Sequence, residues 1–149
     1  MHIKDKVVVV TGGASGIGKS LSERFAREGA RAVIVSDINQ AGVDATVADI
    51  AALTEARGIV ANVGKEDEVS ALVDATLAEF GHIDLFCSNA GAGGAGVLTD
   101  ADNAVWQNQW ELHVMSHVYA ARAVLPSMLA QGSGYLLNTA SAAGLLAAL

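Results

Sequence analysis

The stretch Thr11–Ser20, TGGASGIGKS, decides the fold of this sequence. It follows an almost uniformly apolar segment, KVVVVT at Lys6–Thr11, which is typical of a strand buried on both faces. Beyond the glycines, apolar residues recur every four positions and predict an amphipathic helix from about Gly16 to Glu28. A glycine turn between a buried strand and a helix lets a phosphate group approach the main chain at the helix N-terminus.

The same alternation of strand and helix patterns continues along the chain. The apolar periodicities predict strands at Ala32–Ser36, Gly58–Val63, Ile83–Ser88 and Gly134–Thr139, and helices at Gln40–Arg57, Glu66–Phe80 and from about Asn103 onward, with Pro126 expected to kink or end the last one. The order β-α-β-α-β-α-β-α-β implies an α/β fold. We therefore expect residues 1–149 to form one Rossmann-type domain, a doubly wound parallel sheet of about five strands with helices on both faces.

The composition narrows the possible partners. The net charge is −7 with 9 lysines and arginines, which argues against binding to nucleic acid or to an anionic membrane surface. A small phosphate ligand would then be held by backbone N–H groups rather than by cations. The single cysteine, Cys87, lies in an apolar run and is expected to be a small buried side chain. We expect a cytoplasmic protein, because no apolar run reaches membrane-spanning or signal-peptide length.

The residues of TGGASGIGKS are compatible with three interpretations. In the first, Gly12, Gly16 and Gly18 form a dinucleotide-binding turn, with the pyrophosphate at the helix N-terminus. In the second, Gly13–Ser20 is a P-loop of the pattern G-x-x-x-x-G-K-[ST], with Lys19 on the phosphates of a nucleoside triphosphate. In the third it is a glycine turn without a ligand, which the strand–loop–helix context disfavours.

Asp37 favours the first interpretation. It follows Gly18 by 19 residues and stands at the end of the second predicted strand. An acidic residue at about this spacing hydrogen-bonds the adenosine ribose of a dinucleotide. A carboxylate there would also repel a 2′-phosphate, and neither Ala14 nor Ser15 is replaced by a cation that would offset it. The expected cofactor is therefore NAD rather than NADP, the alternative being that Asp37 is a solvated carboxylate at a strand end.

With these features the sequence resembles the short-chain dehydrogenase/reductase family over nearly its whole length. The family motif T-G-x-x-x-G-x-G is matched from Thr11 to Gly18, and its N-A-G motif by Asn89, Ala90 and Gly91. The segment AVLPSM at Ala123–Met128 is similar to the family's long fourth helix. The segment NTASAAG, from 138 to 144, resembles the strand end that carries the family's catalytic serine. A P-loop protein predicts none of the last three motifs.

The resemblance implies hydride exchange between a nicotinamide and an alcohol or carbonyl substrate. In such enzymes Ser141 would hydrogen-bond the substrate, Asn89 would brace the central sheet, and Val63 would pack near the adenine. His113 occupies the position of the family's catalytic asparagine in the long helix. The implied cofactor-binding residues are Gly12, Ser15, Gly16, Ile17, Gly18, Asp37, Asn62, Val63, Asn89, Ala90 and Gly91.

Three positions depart from the family pattern. Asn62 replaces an aspartate beside the adenine, and we expect its amide oxygen to accept a hydrogen bond from the adenine amino group. His113 replaces the asparagine with a bulkier side chain that can also form hydrogen bonds. The family's Tyr-x-x-x-Lys pair is missing, because Ala123 and Thr139 stand four residues after Tyr119 and Tyr135. The chain therefore looks truncated before that segment, and we expect it to be inactive alone, since the tyrosine carries the substrate proton.

Further expectations concern assembly, loops, metals and aromatic side chains. An unpaired fifth strand at a sheet edge invites pairing with a second copy, so we expect a homo-oligomer acting on a small molecule. A non-catalytic dinucleotide-binding module and a P-loop NTPase remain the alternatives.

The glycine-rich loop Gly91–Gly96 is expected to be an active-site loop, and no metal is expected, although His113 and His117 have a ligand-like spacing. Trp106 and Trp110 are expected in the core or in a subunit interface.

Overall fold

The computed structural model describes residues 1–93 and 99–142. In chain order its elements are β1 (Val7–Thr11), α1 (Gly16–Arg27), β2 (Ala32–Asp37), α2 (Gln40–Ile50), β3 (Glu55–Val60), α3 (Glu66–Phe80), β4 (Leu85–Ser88), α4 (Asn103–Trp110), a π-helical turn (Glu111–Met115), α5 (Ser116–Ala130) and β5 (Tyr135–Asn138). The strands and helices alternate as the hydrophobic pattern predicts. Of the predicted loop Gly91–Gly96, the part from 94 onward lies outside the described residues.

The strands form one parallel sheet in the order β3-β2-β1-β4-β5. The chain runs outward from β1 to β3 and then returns across β1 to β4. In β1, Val9 pairs with Ile34 on one side and with Phe86 on the other. The predicted Rossmann-type sheet is confirmed, and the gap between the carboxyl ends of β1 and β4 is the switch point at which ligands bind in such sheets.

The core consists of two layers because alternate residues of the central strands face opposite sides of the sheet. Val7 and Val9 of β1 lie with Leu72 of α3 in one cluster, whereas Val8 of β1 lies with Phe25 of α1 in the other. The helices therefore cover both faces, with α3 and α5 on one and α1 and α2 on the other. Full burial of a side chain such as Leu72 stabilises the fold by about 1.5–3 kcal/mol.

The second helix and third strand differ from their predicted bounds. The helix predicted over Gln40–Arg57 ends at Ile50, and the strand predicted from Gly58 begins at Glu55. Thr54 lies beyond the end of this helix, and its hydroxyl donates a hydrogen bond to the Ala30 carbonyl oxygen. β3 is an edge strand with partly exposed side chains, so it lacks the apolar run that reveals the central strands.

The last predicted helix also differs. A π-helical turn at Glu111–Met115 separates α4 from α5, and Pro126 does not end α5, which continues to Ala130. The buried side chains of Val124 and Met128 anchor the helix on the sheet on both sides of the proline. This packing offsets the one backbone hydrogen bond that proline removes. Trp106 and Trp110 are 52% and 54% exposed, so they do not belong to the core of this chain.

At the amino end of the strands, opposite the switch point, the carboxylate of Asp84 links two segments of the sheet. It accepts hydrogen bonds from the Lys6 ammonium group and from the backbone N–H of Val7, both at 2.9 Å, and His82 Nε2 lies 3.2 Å away. Burial opposes ionisation of this group, but the Val7 and Lys6 hydrogen bonds outweigh it and hold the pKa of Asp84 below its ordinary value. The carboxylate therefore ties the start of β1 to the segment before β4.

The substitution Asp84→Asn should lower the free energy of unfolding by about 1–3 kcal/mol at pH 7. Because the folded state lowers the pKa of Asp84, its contribution is complete above the ordinary aspartate pKa of about 3.9 and is lost as the pH falls below it. Urea denaturation of both proteins should thus show a difference that shrinks towards about pH 3. The matched variant Asp74→Asn alters an exposed carboxylate of α3 and should change stability little. A difference independent of pH would contradict this role of Asp84.

Candidate cofactor-binding site

The loop after β1 and the first turn of α1 are packed too closely for a side chain at either Gly12 or Gly18. Gly12 has a φ of +68°, and a Cβ atom there would lie 2.7 Å from the Ala90 Cα atom. A Cβ atom on Gly18 would lie 2.1 Å from the Gly12 carbonyl oxygen and 2.8 Å from Asn89 Nδ2. The first turn of α1 is thus pressed against the loop, which in turn is pressed against the segment after β4.

The N-terminus of α1 opens into a cleft. Ser15 is the N-cap residue, and its side chain forms no capping hydrogen bond. Apart from the adjacent residues and the backbone of α1 itself, no atom of the described residues lies within 4 Å of where a Cβ atom on Gly16 would be. Unpaired N–H groups and the helix dipole make such an end favourable for an anion. We call this the phosphate cleft; it is lined by Gly12, Ser15, Gly16, Ile17, Gly18, Asp37, Asn89, Gly91 and Thr139.

A second cleft opens beside the first, over the ends of β2 and β3. We call it the base cleft; it is lined by Gly12, Asp37, Ile38, Ala61, Asn62, Val63, Ala90, Gly91, Ala92 and Leu112. Gly12, Asp37 and Gly91 border both clefts, so the two form one continuous groove. The side chains that line this groove include no lysine or arginine within the described part of the chain.

Asp37 stands where the two clefts meet. Its Oδ2 atom accepts a hydrogen bond of 3.2 Å from the backbone N–H of Ala14, and its Oδ1 atom one of 3.1 Å from that of Asn39. These bonds fix the carboxylate between the glycine loop and the start of α2. Each carboxylate oxygen can accept a second hydrogen bond, so the group is still able to bind a diol.

Asn62 is held at the rim of the base cleft. Its side-chain Oδ1 atom accepts a hydrogen bond of 3.0 Å from the backbone N–H of Gly64, and its own backbone N–H donates to Glu68 Oε2 at 2.7 Å. The hydrogen bond from Lys65, followed by that from Asn62, lowers the pKa of Glu68. That this amide oxygen also accepts from an adenine amino group stays a prediction, since it keeps a second lone pair beside the Gly64 hydrogen bond.

Thr11 joins the two strands at the switch point. Its hydroxyl donates to the Cys87 carbonyl at 3.1 Å and accepts hydrogen bonds from the backbone N–H groups of Asn89 and Ala90. The side chain of Asn89 donates to the Thr11 carbonyl oxygen and accepts from the Thr139 hydroxyl. Asn89 thus bridges β1, β4 and the segment after β5.

The two expected catalytic residues lie at the same edge of the sheet. His113, in the π-helical turn, has Nε2 at 2.9 Å from the Ala92 carbonyl oxygen, and its ring lies against Gly91. Because a carbonyl only accepts, Nε2 carries the proton. Ser141 lies beyond β5 and is exposed. His117 is directed to the side chain of Asn138, a different partner from that of His113.

Lys19 is directed away from the phosphate cleft. Its ammonium group forms an ion pair of 2.6 Å with Asp49 of α2, and this hydrogen bond raises the pKa of Lys19. A P-loop lysine would instead have to reach the phosphates of a bound nucleotide. The P-loop interpretation therefore loses the contact on which it depends.

Several residues of the groove were not expected from the sequence. Ile38, although 70% exposed, lines the base cleft, as does Leu112 of the π-helical turn. An apolar residue directly after a strand-end carboxylate is a signal that would have indicated Ile38. Thr139 gives no comparable signal, because its role depends on how β5 is placed beside β4.

Within residues 1–93 and 99–142, no three or more His, Cys, Asp or Glu side chains are grouped so that they could hold a metal ion. Over the same residues, every helix is too short or too polar to cross a lipid bilayer.

A groove along the carboxyl edge of a parallel sheet, with a glycine loop and a strand-end carboxylate, is typical of dinucleotide-binding α/β proteins. The family model described as short chain dehydrogenase matches residues 6–148. An uncharacterized oxidoreductase of Bacillus subtilis is 38% identical over 144 residues, which cover 97% of this chain and 54% of that protein. The chain belongs to the short-chain dehydrogenase family.

Other known proteins show the same relation. A subunit of (2S)-[(R)-hydroxy(phenyl)methyl]succinyl-CoA dehydrogenase of Thauera aromatica is 36% identical, and the match covers 97% of this chain and 58% of that one. A short-chain dehydrogenase/reductase of Burkholderia phymatum, solved in complex with NAD, superimposes with a TM-score of 0.94 at 33% identity. That match covers 99% of this chain and 53% of the solved one. The chain thus spans about half the length of the relatives it matches.

The substitution Gly18→Ala should displace the glycine loop, because the new methyl group would overlap the Gly12 carbonyl oxygen. We expect a loss of about 1–3 kcal/mol in the free energy of unfolding, as for other overpacked sites. Gly93→Ala is a matched control, since among the residues that the structure describes a Cβ atom there would have no non-adjacent neighbour within 4 Å. Thermal unfolding followed by circular dichroism measures both, and equal stability of the two variants would contradict the packing described here.

Proposed function

We propose that this chain supplies the cofactor-binding part of an NAD(H)-dependent oxidoreductase, which exchanges hydride between a nicotinamide and an alcohol or carbonyl substrate. The observation that carries the proposal is the continuous groove around Asp37, with the open end of α1 on one side and the base cleft on the other. Its shape and polarity fit a dinucleotide, because the main-chain N–H groups lie where a pyrophosphate would be and apolar walls lie where a base would be.

NAD is proposed rather than NADP. The Asp37 carboxylate stands where the ribose would lie, and no cation lines the groove in the described residues to neutralise a 2′-phosphate. Its two oxygens suit the 2′- and 3′-hydroxyl groups of a ribose, both of which can donate hydrogen bonds. That the solved relative from Burkholderia phymatum is a complex with NAD supports this choice.

The residues of the groove would divide the binding between them. The backbone at Ser15, Gly16 and Ile17 would hold the pyrophosphate, and Ile38 and Val63 would enclose the base. The bound nicotinamide would supply or accept the hydride. On the substrate side, Ser141 would hydrogen-bond the reacting oxygen.

His113 would act next to these groups by holding the Ala92 carbonyl. Its imidazole would replace the family's asparagine in positioning the loop over the nicotinamide end of the groove.

A second candidate function is a binding module without chemistry. It applies to these 149 residues taken by themselves, in which no Tyr-x-x-x-Lys pattern occurs. The chain itself is then predicted to bind the dinucleotide without oxidising alcohols, since no tyrosine is positioned to carry the substrate proton. Formation of NADH from NAD and a panel of alcohols would contradict this prediction.

The substitution Asp37→Ala should weaken NADH binding about tenfold and reduce the preference for NADH over NADPH by at least a similar factor. The cause is the loss of both the ribose hydrogen bonds and the repulsion of a 2′-phosphate. Calorimetric titration of both cofactors against both proteins measures the two effects. Asp44→Ala, which removes a nearby carboxylate that lines neither cleft, should leave the preference unchanged.

Two results of this titration would contradict the proposed function. One is the absence of NADH binding to the unsubstituted protein. The other is binding of Mg-ATP that is lost in Lys19→Ala, which would restore the P-loop interpretation.

Self-association and a cytoplasmic location stay predictions. Self-association is supported by the exposed apolar side chains of Trp106, Trp110, Val118 and Leu129 on α4 and α5. Light scattering coupled to size exclusion should give a mass of at least two chains. A stable monomer at high protein concentration would contradict this prediction.

A further inference from the structure

The peptide group between Gly13 and Ala14 is held at both of its ends. Its carbonyl oxygen, that of Gly13, accepts a hydrogen bond of 3.0 Å from the hydroxyl of Thr46 in α2. Its N–H, that of Ala14, donates to Asp37 Oδ2 at 3.2 Å. The C=O and N–H of a planar trans peptide group point in opposite directions, so a bond at one end also sets the direction of the other. Thr46 and Asp37 therefore hold opposite sides of one rigid group of the glycine loop.

The hydroxyl of Thr46 forms a different bond from those of other buried hydroxyls in helices. Such a hydroxyl commonly donates to the carbonyl four residues earlier in its own helix. Ser22 does so with the Gly18 carbonyl, and Thr76 does so with that of Leu72. Thr46 is fully buried, but its hydroxyl leaves α2 and reaches the loop after β1, 33 residues earlier in the sequence. This hydroxyl thus serves the glycine loop and not its own helix.

Further contacts connect the same carboxylate to α2. Asp37 Oδ1 accepts from the backbone N–H of Asn39, the N-cap residue of α2, whose own side chain accepts from the N–H of Gly42. Gly42 lies directly against the loop, since a Cβ atom on it would be 2.6 Å from the Ala14 Cβ atom. A closed path of hydrogen bonds therefore runs from Thr46 through the peptide group to Asp37 and back to the start of α2.

Removal of the Thr46 hydroxyl would free the peptide group to rotate. Gly13 is buried, and within the described residues its carbonyl accepts no other hydrogen bond. A buried carbonyl without a partner is costly, so rotation that exposes it to water is favoured. Because the peptide group is rigid, the same rotation turns the Ala14 N–H away from Asp37. The carboxylate would then keep only its bond from Asn39.

We propose that Thr46 is a positioning residue, which acts through the peptide group between Gly13 and Ala14 to hold the Asp37 carboxylate where it selects NAD over NADP. This inference rests on the proposed function, because it assumes that the ribose of a dinucleotide lies at Asp37. A fixed carboxylate binds the ribose diol and repels a 2′-phosphate, whereas a carboxylate free to turn away does less of both. Thr46 lines neither cleft, so it acts without touching the cofactor.

The variant Thr46→Val tests the proposal, because it removes the hydroxyl and keeps the branched shape of the side chain. Affinities for NADH and NADPH are measured by calorimetric titration. The preference for NADH should fall about fivefold, which is what one hydrogen bond of ordinary strength contributes. NADH should bind more weakly and NADPH more tightly. Thr46→Ser, which retains the hydroxyl, should keep the preference of the unsubstituted protein.

Thr76→Val is the matched control. It makes the same change at an equally buried threonine, but the hydroxyl of Thr76 bonds only within α3. Both valine variants should lower the unfolding temperature, measured by circular dichroism, and only Thr46→Val should change the preference between the cofactors. If Thr46→Val does not fold, Thr46→Ala and Thr46→Ser differ by the same hydroxyl and provide the same comparison.

A second measurement shows whether Thr46 acts through the carboxylate. In a protein that already carries Asp37→Ala, the change Thr46→Val should not alter the preference any further, because the group on which Thr46 acts is absent. A merely structural role of Thr46 would weaken the binding of both cofactors alike and would leave their ratio unchanged.

An unchanged preference in Thr46→Val, or an equal fall in the presence and absence of Asp37→Ala, would overturn the proposal. The proposed function would remain intact in either case, since NADH would still bind. Failure of the unsubstituted protein to bind NADH would instead contradict the proposed function, and this inference with it.

Discussion

The hydroxyl group of Thr11 holds together the two strands between which the groove opens. It donates to the Cys87 carbonyl of β4 and accepts from the backbone N–H groups of Asn89 and Ala90, so it satisfies three backbone polar groups at one buried point. The ladder of hydrogen bonds between parallel strands stops where the strands end. At the switch point the segments that follow β1 and β4 then diverge, which leaves room for a ligand. Thr11 sets how far β1 and β4 separate.

The glycine loop is shaped by the same constraint. Because Ala90 and Asn89 are fixed by Thr11, the loop after β1 has to pass within van der Waals contact of them, which only Gly12 and Gly18 allow. This close approach in turn places the first turn of α1 at the edge of the sheet, where its backbone N–H groups are accessible to a ligand. An acidic protein can therefore hold an anion without cations, because the dipole of the helix supplies the positive end.

The centre of this fold could be predicted from the sequence and its edges could not. β1 and β2 are covered on both faces, and this burial produces the continuous apolar runs from which they were predicted. β3 is covered less, and its residues Glu55 and Arg57 give no apolar pattern, so its bounds were wrong. The π-helical turn before α5 has no signature in the periodicity either, since one extra residue per turn leaves the neighbouring pattern helical.

A similar distinction applies within the groove. Motifs predict residues whose role follows from the main chain, such as Gly12 and Gly18, because a glycine is required wherever the backbone approaches closely. They do not predict the polarity that a side chain such as Asn62 presents. Aspartate and asparagine have the same shape but differ in charge and in one polar atom, and the hydrogen bond from the Gly64 N–H fixes which amide atom faces the turn. Which atom this is depends on a backbone N–H two residues away, so the chemistry at position 62 follows from the folded turn and not from the letter alone.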